Sequence, residues 1–144
     1  FGTINSVNAV YEDYKEKKNG HISIVSSVAG YRGLPAASGY CASKSAVLGL
    51  SRCVALEGAS KGVTCNSISP GWVETSFGTS WMTHIAETTE SRSGGAYMDE
   101  VRTNNPQKRM LQPTEVAALA LYLCRDEASG MTMQDLTLSA GSLW

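Results

Sequence analysis

A chain of 144 residues with 42% hydrophobic and 17% charged side chains can bury a real core as one globular unit, which excludes wholesale disorder. Its net charge of −1 removes the electrostatic case for a nucleic-acid partner or an anionic membrane surface. No apolar run approaches the roughly 20 residues of a membrane-spanning helix.

The chain has no initiator Met, and Phe1-Gly2-Thr3-Ile4-Asn5-Ser6-Val7 already reads as the inside of a helix, so a longer protein is expected around it. From Phe1 to Lys18, Ile4, Val7, Val10, Tyr11 and Tyr14 recur on one helical face, and Asn19-Gly20 supplies the stop. His21–Ser26 is a β-branched run of strand length, followed by a loop from Ser27 to Ser38 rich in Ser, Gly, Ala and Pro. Tyr40 to about Ser60 predicts the longest helix, whose many small residues suggest cover on more than one side; Gly62 closes it. Val63–Ser69 is the second strand, stopped by Pro70-Gly71. Two strands joined through one helix make a parallel βαβ unit with a right-handed crossover.

From Thr75 to Pro106 the periodicity fades into Ser, Thr, Gly, Glu and scattered aromatics, and residues 76–106 are expected to form a substrate lid. Gln112 or Thr114 caps a helix from Pro113 to about Arg125, and Met131–Leu138 forms a last strand. The four cysteines, Cys41, Cys53, Cys65 and Cys124, form no CxxC pair, so no metal site is expected. They read as small buried hydrophobes in a reducing compartment. With no basic-then-apolar leader, the cytoplasm is the expected location.

Chemistry concentrates at Tyr40-Cys41-Ala42-Ser43-Lys44, where a phenol and an ammonium stand four apart on one helix face. A phenol ionises near pH ~10. A neighbouring ammonium favours the phenolate, and the pair can pass a proton to or from a substrate oxygen. Spacing alone proves little, because Tyr11–Lys15 and Tyr14–Lys18 share it; in their charged helix they read as solvated stem contacts. The surroundings of Tyr40 differ. Ser27 lies thirteen residues before it at the end of a strand, and Pro70-Gly71-Trp72-Val73-Glu74-Thr75 follows the next strand. Such strand ends are where α/β proteins bind ligands.

In order and spacing, Ile24-Val25-Ser26-Ser27-Val28-Ala29-Gly30, Tyr40-Cys41-Ala42-Ser43-Lys44 and Asn66-Ser67-Ile68-Ser69-Pro70-Gly71 resemble the short-chain dehydrogenase/reductase family. Pro106–Met110, Pro113–Ala117 and the closing Ser139-Ala140-Gly141 fit as well, though many relatives end in Asp-Gly-Gly. The resemblance implies a Rossmann-like doubly wound parallel α/β sheet, of which this single partial domain, residues 1–144, is the C-terminal catalytic half. The N-terminal dinucleotide-binding half, with its glycine-rich phosphate loop, would be absent. It implies an NAD- or NADP-dependent oxidoreductase that interconverts a ketone and a secondary alcohol. Tyr40 would be general acid in reduction and base in oxidation, Lys44 would lower the Tyr40 pKa and hold the nicotinamide ribose, and Ser27 would bond the substrate oxygen. Pro70, Gly71, Val73 and Thr75 would line the nicotinamide, with the Val73 backbone on its carboxamide. The family's catalytic Asn would fall just before Phe1, so neither Asn5 nor Asn8 is assigned to it. Relatives also imply a homodimer or homotetramer using the small-residue helix.

Several alternatives stay open. Ser27 alone could be a turn cap. His21 and His84 are expected at the surface. Trp72, Phe77, Trp81, Met82, Ile85, Tyr97 and Met98 could pack the lid or line an apolar substrate pocket. The rival function is a non-catalytic nicotinamide-binding sensor or scaffold, against which the intact Ser27–Tyr40–Lys44 set argues. With only three strands, the His21–Ser26 strand would be an unpaired apolar edge, so further strands are expected in the functional protein.

Overall fold

The computed structural model of the protein describes residues 1–89 and 92–142; positions 90 and 91 of the expected lid lie outside the described residues. The elements in order are α1 (Gly2–Lys17), β1 (Gly20–Val25), α2 (Ser38–Ala59), β2 (Val63–Pro70), α3 (Ser76–Thr89), α4 (Gly94–Asn104), α5 (Pro113–Leu123) and β3 (Asp135–Leu138). Short 3-10 turns occupy Val28–Gly30 and Asp126–Ala128.

The strands form one parallel sheet in the order β1-β2-β3, with Gly20 opposite Val63 and Ser67 opposite Asp135. Side chains of one strand parity, Ile22, Ile24, Val63 and Cys65, pack with Val7 of α1 and Val54 and Ala55 of α2. Val25 and Pro70, of the other parity, share a cavity with Val116, Ala117 and Ala120 of α5. Helices therefore cover both faces, the doubly wound arrangement, and the strands' carboxyl ends stay open.

Several elements differ from their sequence reading for identifiable reasons. Helix α1 stops at Lys18, in left-handed conformation (φ 51°) with its N–H bonded to the Tyr14 and Lys15 carbonyls, one residue before the Asn-Gly signal. Gly20 instead opens β1, because the Tyr14 ring occupies the space a Cβ would need. Ile4, expected on the buried face, is 43% exposed. In α2 one face is buried (Leu48, Ser51, Val54, Ala55, Gly58) while Leu56 is exposed, so within this chain the helix is covered on one side only. Its small residues serve close approach: a Cβ on Gly58 would lie 3.0 Å from the Val63 side chain. Among the cysteines only Cys65 is buried; Cys53 and Cys124 are exposed and Cys41 lies between.

Where the sequence reads as aperiodic, the chain forms α3 and α4. Gly78, Met82, Ile85 and Ala86 make a buried stripe at helical spacing in α3. The composition concealed it because Thr79, Thr83 and Thr89 each donate a hydroxyl hydrogen bond to a carbonyl one turn back, which satisfies residues that read as loop. Helix α4 is capped by Ser93, and its Gly94 lets it touch Thr83. The last strand is shorter than expected. Met131–Gln134 turns instead, with Met133 at φ 61°, and buried Asn66 clamps the turn by donating to the Met131 carbonyl (2.7 Å) and accepting from the Gln134 N–H (3.0 Å). Among the described residues no helix is long and apolar enough to cross a membrane.

Two glycines on the α2 side make opposite predictions. A Cβ on Gly30 would stand 3.0 Å from the Lys44 carbonyl oxygen and 3.1 Å from Leu48, whereas one on Gly49 meets nothing within 4 Å. Gly30→Val should cost about 1–3 kcal/mol in thermal or denaturant unfolding by overpacking. Gly49→Ala should gain about 0.5–1 kcal/mol by removing a helix-interior glycine.

Asp135 sets a pH dependence. Ser67 and Ser69 both donate to its Oδ1 (2.8 Å each), its Oδ2 is buried without a partner, and burial pushes the carboxyl up to about 6. The unfolded value is ~3.9. Between the two, the folded protein keeps a proton that the unfolded chain has released, so stability falls as pH rises from about 4 through about 6. Asp135→Asn should flatten that slope in melting curves recorded across the window.

Candidate active site

The carboxyl ends of β1 and β2 open onto a cavity of about 560 Å3. Ser27, Tyr40, Lys44, Pro70, Gly71, Val73 and Thr75, drawn from three separate stretches of sequence, all line it. Ser27 leaves β1 in extended conformation and caps the Val28–Gly30 turn, its Oγ accepting the Ala29 N–H at 3.1 Å. Capping uses an acceptor lone pair and leaves the hydroxyl proton to donate, so the two readings of Ser27 are compatible.

Tyr40 sits in the first turn of α2 and Lys44 one turn on. The Lys44 Nζ donates to the Val25 carbonyl at 3.0 Å and lies 5.6 Å from the centroid of the Tyr40 ring. Burial lowers the Lys44 pKa. The tie to Val25 keeps the ammonium beside the phenol rather than in solvent. Neither comparison pair lines the cavity. They are not solvated stems, however: Tyr11 and Tyr14 pack against the α1–α2 core, and the buried Tyr11 hydroxyl has no partner. Lys15 pairs with Glu12 at 2.7 Å, while its ammonium stands 4.8 Å over the Tyr11 ring.

The turn after β2 is pressed onto the end of β3. The Gly71 N–H donates to the Leu138 carbonyl at 2.8 Å, and a Cβ on Gly71 would lie 3.1 Å from Ser139 Cα. Beyond it, Trp72–Glu74 runs alongside Leu111: the Leu111 N–H bonds to the Trp72 carbonyl and the Glu74 N–H to the Leu111 carbonyl. Among the described residues the Val73 N–H donates to no protein group, and neither does that of Trp72, whereas the Glu74 N–H is taken by the Leu111 carbonyl. Thr75 Oγ1 accepts the Gly78 N–H (3.0 Å) at the start of α3 and keeps its own proton free. A flat apolar ring bearing an amide fits this set: Val25 and Pro70 offer apolar surface, Val73 a spare donor, and Lys44 a cation for hydroxyls.

Aromatic side chains form the outer wall. Trp81 of α3 lies 6.3 Å from the Tyr40 ring, centroid to centroid, with His84 5.6 Å behind it. The apolar lid residues divide between their two readings: Trp72, Phe77 and Trp81 line the cavity, Met82 and Ile85 are buried away from it, and Tyr97 braces Trp72 edge-on at 6.5 Å. His84 is exposed as expected. His21 is half-buried, its Nδ1 2.9 Å from the Thr64 hydroxyl.

Glu74 fastens this loop to the helices around it. Gln112 donates to its carboxylate at 2.8 Å and Arg102 of α4 at 3.2 Å, which hold its pKa below the usual range. Gln112 is the N-cap of α5, and Glu115 accepts its N–H while chelating Arg109, which brings the Glu115 pKa down to about 2. Sequence reading missed the contribution of α5 to the cavity, although Val116, Ala117 and Ala120 form a legible small-apolar stripe. It also missed Arg32 and Leu34, for which the loop between Ser27 and Ser38 carried no signal.

A family model described as enoyl-(acyl carrier protein) reductase matches residues 1–142. The chain is 37% identical over 137 residues to an acetoacetyl-CoA reductase of Allochromatium vinosum, covering 95% of this chain and 51% of that protein. Among solved structures, F189W actinorhodin polyketide ketoreductase with NADPH superposes with a TM-score of 0.83 at 35% identity, over 90% of this chain and 49% of the other. A 3-oxoacyl-[acyl-carrier protein] reductase with bound NAD from Brucella melitensis gives 0.80 at 29% identity, over 99% and 48%. The chain spans about half the length of the curated relatives it matches. Agreement that runs from α1 to the turn after β3 shows that the chain belongs to the short-chain dehydrogenase/reductase family.

Proposed function

We propose that this chain carries the catalytic residues of an NAD- or NADP-dependent oxidoreductase that interconverts a ketone and a secondary alcohol. The observation that carries the reading is the convergence of Ser27, Tyr40 and Lys44 on one cavity with the Pro70–Thr75 loop, whose Val73 N–H is spare. Relatives named as ketoacyl and acetoacetyl-CoA reductases, and neighbours holding NADPH or NAD, support the same class.

In this reading the bound nicotinamide supplies or accepts the hydride. Ser27 donates its free hydroxyl proton to the substrate oxygen and steadies the negative charge growing there. Tyr40 delivers its proton to that oxygen in reduction and recovers it in oxidation. Lys44, tethered to the Val25 carbonyl, stabilises the phenolate left behind and reaches the ribose hydroxyls. Val73 would bond the carboxamide, Thr75 would offer its hydroxyl, and Pro70 and Gly71 would supply surface beside the ring. Helices α3 and α4, within residues 76–106, act as the substrate lid, with Trp72, Phe77 and Trp81 excluding water from the reacting centre.

The exposed face of α2, with Leu56, is the proposed contact in a homodimer or homotetramer. Exposed thiols at Cys53 and Cys124 suit a reducing compartment, for which the cytoplasm is proposed.

Tyr40→Phe keeps the ring and its contact with Trp81 but deletes the proton. In the full-length protein it should lower kcat with a ketone panel by at least about 100-fold, the scale of general acid–base catalysis. Cofactor binding, read by fluorescence of the reduced nicotinamide, should persist. Tyr11→Phe should leave turnover intact. Were Tyr11→Phe the damaging change, or were no ketone reduced and no alcohol oxidised by the unaltered protein, the catalytic reading would fall and the sensor reading would take its place.

A further inference from the structure

The charge inside the cavity is one-sided. Among the described residues two cations, Lys44 and Arg32, line it and no Asp or Glu does, although the whole chain has a net charge of −1. Lys44 is committed to the Val25 carbonyl and to Tyr40. Arg32 is not committed: among the described residues its guanidinium makes no hydrogen bond and no ion pair, while its backbone N–H is fixed to the Val28 carbonyl at 3.3 Å. It stands on the turn that begins at Ser27, whereas the nicotinamide-type loop Pro70–Thr75 leaves β2. Arg32 is exposed, and Leu34, Phe77 and Trp81 supply apolar surface lining the same cavity.

From this asymmetry we infer that Arg32 is a substrate anchor for a carboxylate, and that the favoured substrate is an apolar keto acid. The inference rests on the ketoreductase reading of the same site and names its substrate class. The planar guanidinium fork matches a carboxylate with two parallel hydrogen bonds. One free cation also matches one negative charge; among the described residues no second uncommitted cation lines the cavity to meet a phosphate dianion. The apolar wall takes the body of the molecule, Ser27 and Tyr40 take the carbonyl, and Arg32 takes the acid group.

The test uses the full-length protein with arylalkyl keto acids of graded spacer length, each beside its methyl ester. The esters keep the shape and remove the charge. At least one acid should show a KM about tenfold below that of its ester, as a charge-assisted hydrogen-bond pair provides. Arg32→Gln should erase that preference by raising the KM of the acid about tenfold, with the ester's KM, the cofactor's KM and kcat unmoved, and Arg32→Lys should restore part of it. The inference is overturned if ester and acid are equal throughout the series, if the preference survives Arg32→Gln, or if Arg32→Gln raises the cofactor's KM instead. Quenching of tryptophan fluorescence by the same acids and esters separates the two layers, since Trp72 and Trp81 line the cavity. Arg32-dependent quenching without turnover would keep the anchor and reject the reductase. Turnover indifferent to Arg32 would do the reverse.

Discussion

Residue 44 is tied to the end of β1 twice, in opposite directions. Ser26 donates its buried hydroxyl to the Lys44 backbone carbonyl at 2.9 Å, and the Lys44 ammonium donates to the Val25 carbonyl at 3.0 Å. A third bond, from Ser45 to the Gly30 carbonyl (2.7 Å), holds the turn that follows Ser27 against the same stretch of helix. Gly30 makes the approach possible, since a side chain there would meet the Lys44 carbonyl. These contacts fix where a strand end and a helix start stand relative to each other. In the proposed mechanism Ser27 and Tyr40 serve one substrate atom, and that would depend on an offset set by rigid elements and not by a loop.

The parts of the fold that could be read from sequence are those whose cause is local. β1, α2, β2 and α5 announce themselves by β-branched runs, helical periodicity, Gly and Pro stops and a cap at Gln112 or Thr114, which the structure places at Gln112, and they fall within a few residues of expectation. Helices α3 and α4 could not be read this way. Their threonines are satisfied by carbonyls one turn back, and their glycines pack against Val73 and Thr83, so residues that signal loops serve helix packing here. The short β3 has a similar cause at longer range. Asn66, far away in sequence, holds Met131 and Gln134 in a turn that an alternating apolar pattern had suggested was strand.

The site divides along the same line. Tyr40, Lys44, Ser27 and the Pro70–Thr75 loop lie in contiguous motifs, so their meeting at one cavity was legible, while their roles belong to the proposed function. Spacing alone would also have admitted Tyr11 and Tyr14; what excludes them is that α1 turns both rings into a core of aliphatic side chains. The α5 wall and Arg32 reach the cavity through tertiary packing, and only coordinates bring them there. Likewise the cysteines could not be ranked by sequence, because Cys53 and Cys65 sit in equally apolar surroundings on paper and at opposite extremes of exposure in space.

Glu74 stands between two residues of the cofactor-type loop and grips Arg102 in α4 and Gln112 at the head of α5. A rigid displacement of α4 that keeps the Arg102 contact must carry this carboxylate with it, and Val73 and Thr75 are its immediate chain neighbours. The roof and the floor of the chamber are thus joined through the Glu74 carboxylate as well as through the Tyr97–Trp72 contact. If α3 and α4 act as the proposed lid, a motion that widens the entrance would also shift the backbone on which the redox ring would rest.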